Sequence, residues 1–270
     1  MSWRLVLAGL GLLLLTAACA TSPTGRRQLL MVSDADVNSM GLATFQQMKA
    51  TDKLSTDARK AETVSCIVKR LIAQLPQNWQ SLDWETQVFA IDSANAFALP
   101  GGKVGINTGL FKVATNQDQL AAVIGHEIGH VIARHSAERL SQSVLTEAGM
   151  GLVGAYAGRN ASPDQVKQLV ALLGAGTQVG VLLPYSRLHE SEADRIGQEL
   201  MAKAGFDPRE AAALWENMIR ASSASGGQAP PRLLSTHPDS AARASALAQA
   251  APALMPAYEA ARRAGVARCQ

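Results

Sequence analysis

The chain has 270 residues, 47% hydrophobic and only 4% aromatic, with 25 basic residues against 22 acidic ones. That length suits one large domain or two small ones, and a core so poor in rings must be built from Ala, Leu, Val and Ile, which favours packed helices. The charge is near balance and no basic block is interleaved with aromatics, so nucleic acid is excluded as an expected partner.

The N-terminus addresses the compartment. Arg4 precedes an apolar run from Leu5 to Leu15 that exits through small residues. This reads as a secretory signal peptide over residues 1–18, too short to span a membrane comfortably. The stretch Leu15-Thr16-Ala17-Ala18-Cys19 resembles a bacterial lipobox. It implies cleavage before Cys19 and lipid on its sulfur; an ordinary signal peptide cut nearby is the plainer alternative. Ala20 stands where inner-membrane retention usually shows Asp, so the resemblance points to the periplasmic face of the outer membrane. Residues 19–34, polar and carrying Pro23 and Gly25, read as a lipidated tether to a domain at 35–252, with a C-terminal tail at 253–270. An oxidising compartment permits a disulfide between the remaining cysteines, Cys66 and Cys269. The alternative is two buried thiols.

Ser33 before Asp34 and Asp36 suits a helix start. A second helix is expected from about Ser55 to Leu75, with Val64, Ile67, Val68 and Leu71 on one face. Strand character follows at Thr86–Ile91, Ala94–Leu99 and Lys103–Asn107, with a turn at Pro100-Gly101-Gly102. A small sheet of three or so strands results, and an exposed edge of it would suit an extended peptide; a structural hairpin is the alternative. Asn116, with Gln119 three residues on, caps a helix expected to reach Leu140. The Gly- and Ala-rich stretch from Ser143 to Leu183 reads as two buried helices. Helices are then expected from Tyr185 to Lys203 and from Pro208 to Arg220. A low-complexity loop at 221–231 leads to Ser235-Thr236-His237-Pro238 and a last helix from Ser240 to about Gln249.

The helix beginning near Asn116 carries His126-Glu127-x-x-His130. Residues four apart share a helix face, so the two imidazoles can grip one ion. A zinc ion held this way keeps a place open for water, whose proton Glu127 can take. A catalytic zinc site needs a third protein ligand. The metzincin spacing fails, because Ser136 and Ala133 stand where its His and Gly would be. Glu138 lies on the metal helix and cannot bend back. Glu190 and Asp194 are four apart on a separate helix: Glu190 can ligate while Asp194 accepts the free ring N–H of a ligand His. Glu192 projects away from that face. Without the imidazole pair this run would read as a solvated acidic patch.

These two motifs, His-Glu-x-x-His and the run from Ser186 to Asp194, resemble the CAAX-prenyl-endopeptidase-like zinc metallopeptidases, and in particular their bacterial periplasmic branch. Asn95 to Gly102 and Val131 to His135 are similar to that branch as well, and the resemblance spans about Gln28 to Gln249. It implies a gluzincin fold, mainly α with a small β-sheet (α+β), with Glu190 rather than Glu192 as the ligand. It also implies a role for His237 and Arg243: in similar proteins this His lies over the metal and can occupy the water's place. His135, five residues past His130, is expected to face elsewhere, as a helix-end or packing residue, and His189 to point off the metal face.

The expected function is that of a zinc endopeptidase, with one zinc per chain and Glu127 as general base. Its substrates would be unfolded or misassembled envelope proteins, and its partners the membrane, through the lipid, and outer-membrane assembly machinery. The competing reading is a zinc-stabilised chaperone or assembly factor with little proteolysis.

Overall fold

Val64, Ile67, Val68 and Leu71 recur at helical spacing, and all four are buried. They lie on α2, Ala58–Ile72, which Asp57 caps by accepting the Lys60 N–H. The computed structural model describes residues 19–145, 186–224, 233, 237, 240–265 and 267–269. Its elements begin with β1 (Cys19–Thr21) and β2 (Arg27–Leu29), followed by α1 (Asp34–Thr51), α2 and a short α3 (Gln77–Gln80). Strands β3 (Glu85–Phe89), β4 (Ala96–Leu99) and β5 (Lys103–Asn107) come next. The helices α4 (Gln117–Ile132), α5 (Arg187–Lys203), α6 (Glu210–Ala224) and α7 (Ser240–Arg263) complete the described fold.

The sheet has the order β3-β5-β4. β3 runs parallel to β5, and β4 is antiparallel to it through the Pro100-Gly101-Gly102 turn, where Gly101 and Gly102 hold φ of +82° and +81°. Residues 53–55 line the outer side of β3; among the described strands none pairs with the outer side of β4. The expected mainly helical fold with a small sheet is what the chain adopts.

Every residue of α4 is buried, so this helix is the axis of the molecule. Asn116 caps it by accepting the Gln119 N–H at 2.9 Å, as its position predicted. α4 packs on β4, α2, α5 and α6. Its contact with α5 depends on missing side chains. A Cβ on Gly129 would stand 2.8 Å from the Ala193 carbonyl oxygen, and one on Gly197 2.6 Å from the His126 nitrogen. Glycines at these places let the two backbones close to contact, which carries the start of α5 over the imidazole face of α4.

The structure departs from the sequence expectations in four places. The metal helix ends at Ile132 rather than near Leu140: Arg134 takes φ +57°, and the chain is helical again over 135–145. The last helix does not stop at Gln249 but runs to Arg263 through Pro252 and Pro256, covering much of the expected tail. A proline deletes one helix hydrogen bond, and here the flanking sequence is rich in Ala, the best helix former, while packing on α5 and α6 holds the helix in place. Residues 19–29 are not a loose tether: β1 and β2 form an antiparallel hairpin, Cys19 opposite Leu29, with Ser22 and Gln28 buried. Two buried carboxylates, Glu138 and Glu192, supply the reason, since both bind Arg26 of this hairpin. Finally, the second helix is shorter than expected, because Asp57 rather than Ser55 caps it.

Cys66 on α2 and Cys269 are joined by a disulfide, and the Cys269 N–H donates to the Gln117 side chain at 2.7 Å, at the start of α4. No described helix is long and apolar enough to cross a membrane. The expected leader at 1–18, the helices expected between Ser143 and Leu183 and most of the 221–236 loop lie outside the described residues.

Candidate metal centre

Four side chains converge beside α4. One ligand atom each from His126, His130, Glu190 and His237 lies within 4.8 Å of every other, and all four residues are buried. His126 and His130 come from successive turns of α4. Glu190 comes from the first turn of α5, whose start is fixed by Ser186 accepting the His189 N–H at 3.2 Å. His237 arrives from the other side, its N–H bonded to the Leu233 carbonyl at 2.9 Å.

The ring nitrogens face one another. The Nε2 atoms of His126 and His130 are 3.0 Å apart, and His237 Nδ1 lies 3.2 Å from His126 Nε2 and 3.0 Å from each Glu190 oxygen. Asp194 stands 3.0 Å from His126 Nδ1. A carboxylate there accepts a hydrogen bond from Nδ1–H, which leaves the lone pair on Nε2, directed into the cluster.

Arg243 of α7 binds the outer carboxylates together. Its Nε and Nη2 fork onto Asp194 at 2.6 Å each, and Nη1 reaches Glu190 Oε2 at 2.6 Å. Its guanidinium plane lies 3.9 Å from the centre of the Trp215 ring. Glu127 is buried beside the cluster. Among the described residues its Oε1 has no hydrogen-bond partner, and it lies 3.3 Å from His237 Nε2.

Burial and neighbouring charges act against one another at these groups. Burial pushes Glu127 up, against the pull of His237 and His126. Burial also works against ionisation of Glu190, but its bonds to His126 and His237 hold it well below the ordinary carboxylate value. For His126, burial and the Arg243 charge are outweighed by Asp194 and Glu190, which raise it to about 9. His130, buried and beside His126 and His135, is depressed instead. Three carboxylates, Glu127, Glu190 and Asp194, face one guanidinium, Arg243. Imidazole nitrogens and a carboxylate brought together in one buried cluster are N/O donors of the kind that suits zinc.

The structure thus gathers His126, His130, Glu190 and His237, with Glu127, Asp194 and Arg243 around them. It leaves Glu138 and Glu192 outside the cluster and turns His189 away, to Glu138 at 3.0 Å. His135 does not behave as expected. The break at Arg134 turns its ring back, so that its Nδ1 meets His130 Nδ1 at 2.8 Å. Trp215 was not anticipated, and nothing local in the sequence marks it.

A long helix bearing His-Glu-x-x-His, a carboxylate from a second helix and a small sheet alongside define a gluzincin-type zinc site. Comparison with known proteins agrees. The model of peptidase family M48 matches residues 58–251, and the chain belongs to that family. It is 42% identical over 182 residues to the mitochondrial metalloendopeptidase OMA1 of Schizosaccharomyces pombe, covering 67% of this chain and 50% of that protein. With the mitochondrial metalloendopeptidase OMA1 of Bos taurus it shares 32% identity over 239 residues, 85% of this chain and 45% of the relative. With the beta-barrel assembly-enhancing protease of Escherichia coli K12 it shares 32% over 205 residues, 74% and 40% respectively. The chain therefore spans half or less of the length of these relatives.

Proposed function

We propose that this protein is a zinc-dependent endopeptidase in which His126, His130 and Glu190 hold the metal and Glu127 is the general base. The observation that carries the reading is the buried convergence of these donors beside the buried Glu127 carboxylate. Bound zinc would polarise a peptide carbonyl and lower the pKa of an attacking water. Asp194 and Arg243 orient His126 and Glu190. Glu127, whose proton affinity burial raises, takes the proton of the water and returns it to the leaving amine. The outer side of β4, unpaired among the described strands, gives an extended substrate a backbone to add to.

His237 stands where the water must enter, between Glu127 and the ligands. This conformation supports a latent enzyme whose His237 withdraws when substrate binds. It is also the observation that favours a closed, zinc-stabilised assembly factor as the second reading. The leader and Cys19 support a lipid-anchored protein of the bacterial periplasm, on the outer membrane, acting on unfolded or misassembled envelope proteins. The similarity to a beta-barrel assembly-enhancing protease supports the same setting.

The test is casein cleavage by the purified chain with and without chelator. Cleavage that the chelator stops, and that Glu127→Gln lowers by about 10²–10⁴-fold with zinc retained, is the expected result. His237→Ala is expected to raise cleavage. Zinc binding without proteolysis in any variant supports the assembly factor instead.

A further inference from the structure

His130 shares a face of α4 with His126, but its outer nitrogen meets a different partner. Ligation through Nε2 requires the His130 proton on Nδ1, and that atom lies 2.8 Å from His135 Nδ1. His135 must then accept, which places its own proton on Nε2, and Nε2 lies 3.1 Å from Glu192 Oε2. Each proton has one consistent position, and the chain of bonds ends on a carboxylate. Glu192 in turn receives Ser22 Oγ, Thr24 Oγ1 and, at 2.7 Å, Arg26 Nε. All three donors belong to the N-terminal hairpin. Arg26 also grips Glu138 at 2.8 and 2.6 Å.

We propose that His135 and Glu192 are positioning residues for the ligand His130, and that the hairpin at residues 19–29 holds their outer end. The segment next to the leader is then part of the support of the metal centre, not a spacer. The inference rests on the metallopeptidase reading above. His126 receives its carboxylate directly from Asp194, whereas His130 receives one at a remove, through an imidazole that only the Arg134 break brings within reach.

The full chain carrying His135→Ala, His135→Gln, Glu192→Gln or Glu138→Gln tests this. Zinc affinity is read by competition with a chromophoric chelator, geometry by the visible spectrum of the cobalt-substituted protein, and turnover as separate kcat and KM. His135→Ala is expected to weaken zinc binding by about 10–100-fold, to shift the cobalt bands, and to lower kcat while KM stays. His135→Gln, whose amide can accept and donate at similar separation, is expected to restore part of each. Glu192→Gln is expected to move all three readouts the same way by less, which keeps the test open should His135→Ala fail to fold. Glu138→Gln loosens the same hairpin but leaves the His130–His135–Glu192 contacts in place, and is expected to weaken zinc binding less than Glu192→Gln does. Wild-type zinc affinity in His135→Ala, or equal losses in Glu138→Gln and Glu192→Gln, would overturn the proposal. A wild-type chain that binds no zinc would overturn the metallopeptidase reading as well.

Discussion

The two proposed ligand histidines share one face of α4 but are supported by opposite means, His126 from a cleft side and His130 from a far side. On the cleft side, His126 meets Asp194 directly, and Arg243, stacked on Trp215, ties Asp194 to Glu190. On the far side, His130 meets His135, then Glu192, then an arginine from the other end of the chain. The first arrangement puts a carboxylate directly on the ring and an arginine of α7 directly on that carboxylate. The second spans more than a hundred residues of chain and ends in a three-residue-stranded hairpin. A ligand pair that is symmetric on the helix is therefore asymmetric in what its stability depends on.

The cleft side breaks most severely at Arg243. Arg243→Ala leaves Asp194 and Glu190 buried without their cation, and losing one partner of a buried pair costs about 3–5 kcal/mol. Urea unfolding of the metal-free protein is expected to show that loss. The same substitution is also expected to weaken zinc binding, since it frees both carboxylates it orients.

The disulfide offers a control that belongs to neither side. Cys66→Ser removes the bridge from α2 to Cys269, with an expected loss of about 2–5 kcal/mol. Thermal melts with and without reductant are expected to differ for the wild type and coincide for the variant, with zinc affinity unchanged in both.

The helix contact that both histidines depend on is tested at Gly129. A methyl there would meet the Ala193 carbonyl, and Gly129→Ala is expected to cost about 1–3 kcal/mol as the helices are pushed apart. Zinc affinity is expected to fall with it, since Glu190 rides on the displaced helix.

The smallest effect is a pH dependence confined to the far side. Burial opposes ionisation of Glu138, but Arg26 and His189 lower it from 4.5 to about 2. Its stabilisation is therefore complete above about 4.5 and lost as pH falls toward 2. Across that window, melting of the metal-free wild type is expected to fall more steeply than that of Glu138→Gln.

The same contrast explains what could be read from the sequence. His126, Glu127 and His130 were legible because a helical period places them without further knowledge, and Glu190 with Asp194 obeyed the same period on a second helix. The strands followed from partial alternation in Thr86–Ile91 and from the Pro100-Gly101-Gly102 turn between the other two. His135 was not legible, because its role depends on an arginine with positive φ, where no Gly or Asn announces a break. Arg26 was hidden by composition: a short polar run carrying Pro23 and Gly25 reads as tether unless the buried carboxylates that bind it are known. Trp215 reaches Arg243 only through the packing of α6 against α7, a long-range fact with no local sign.

The central claim is that His126, His130 and Glu190 close around one zinc ion. Anomalous scattering at the zinc edge, on crystals of the purified chain, tests it most directly. The account predicts one peak per chain, about 2.0–2.2 Å from the two ring nitrogens and a Glu190 oxygen. A zinc peak elsewhere, or none at this cluster in zinc-loaded protein, would contradict it.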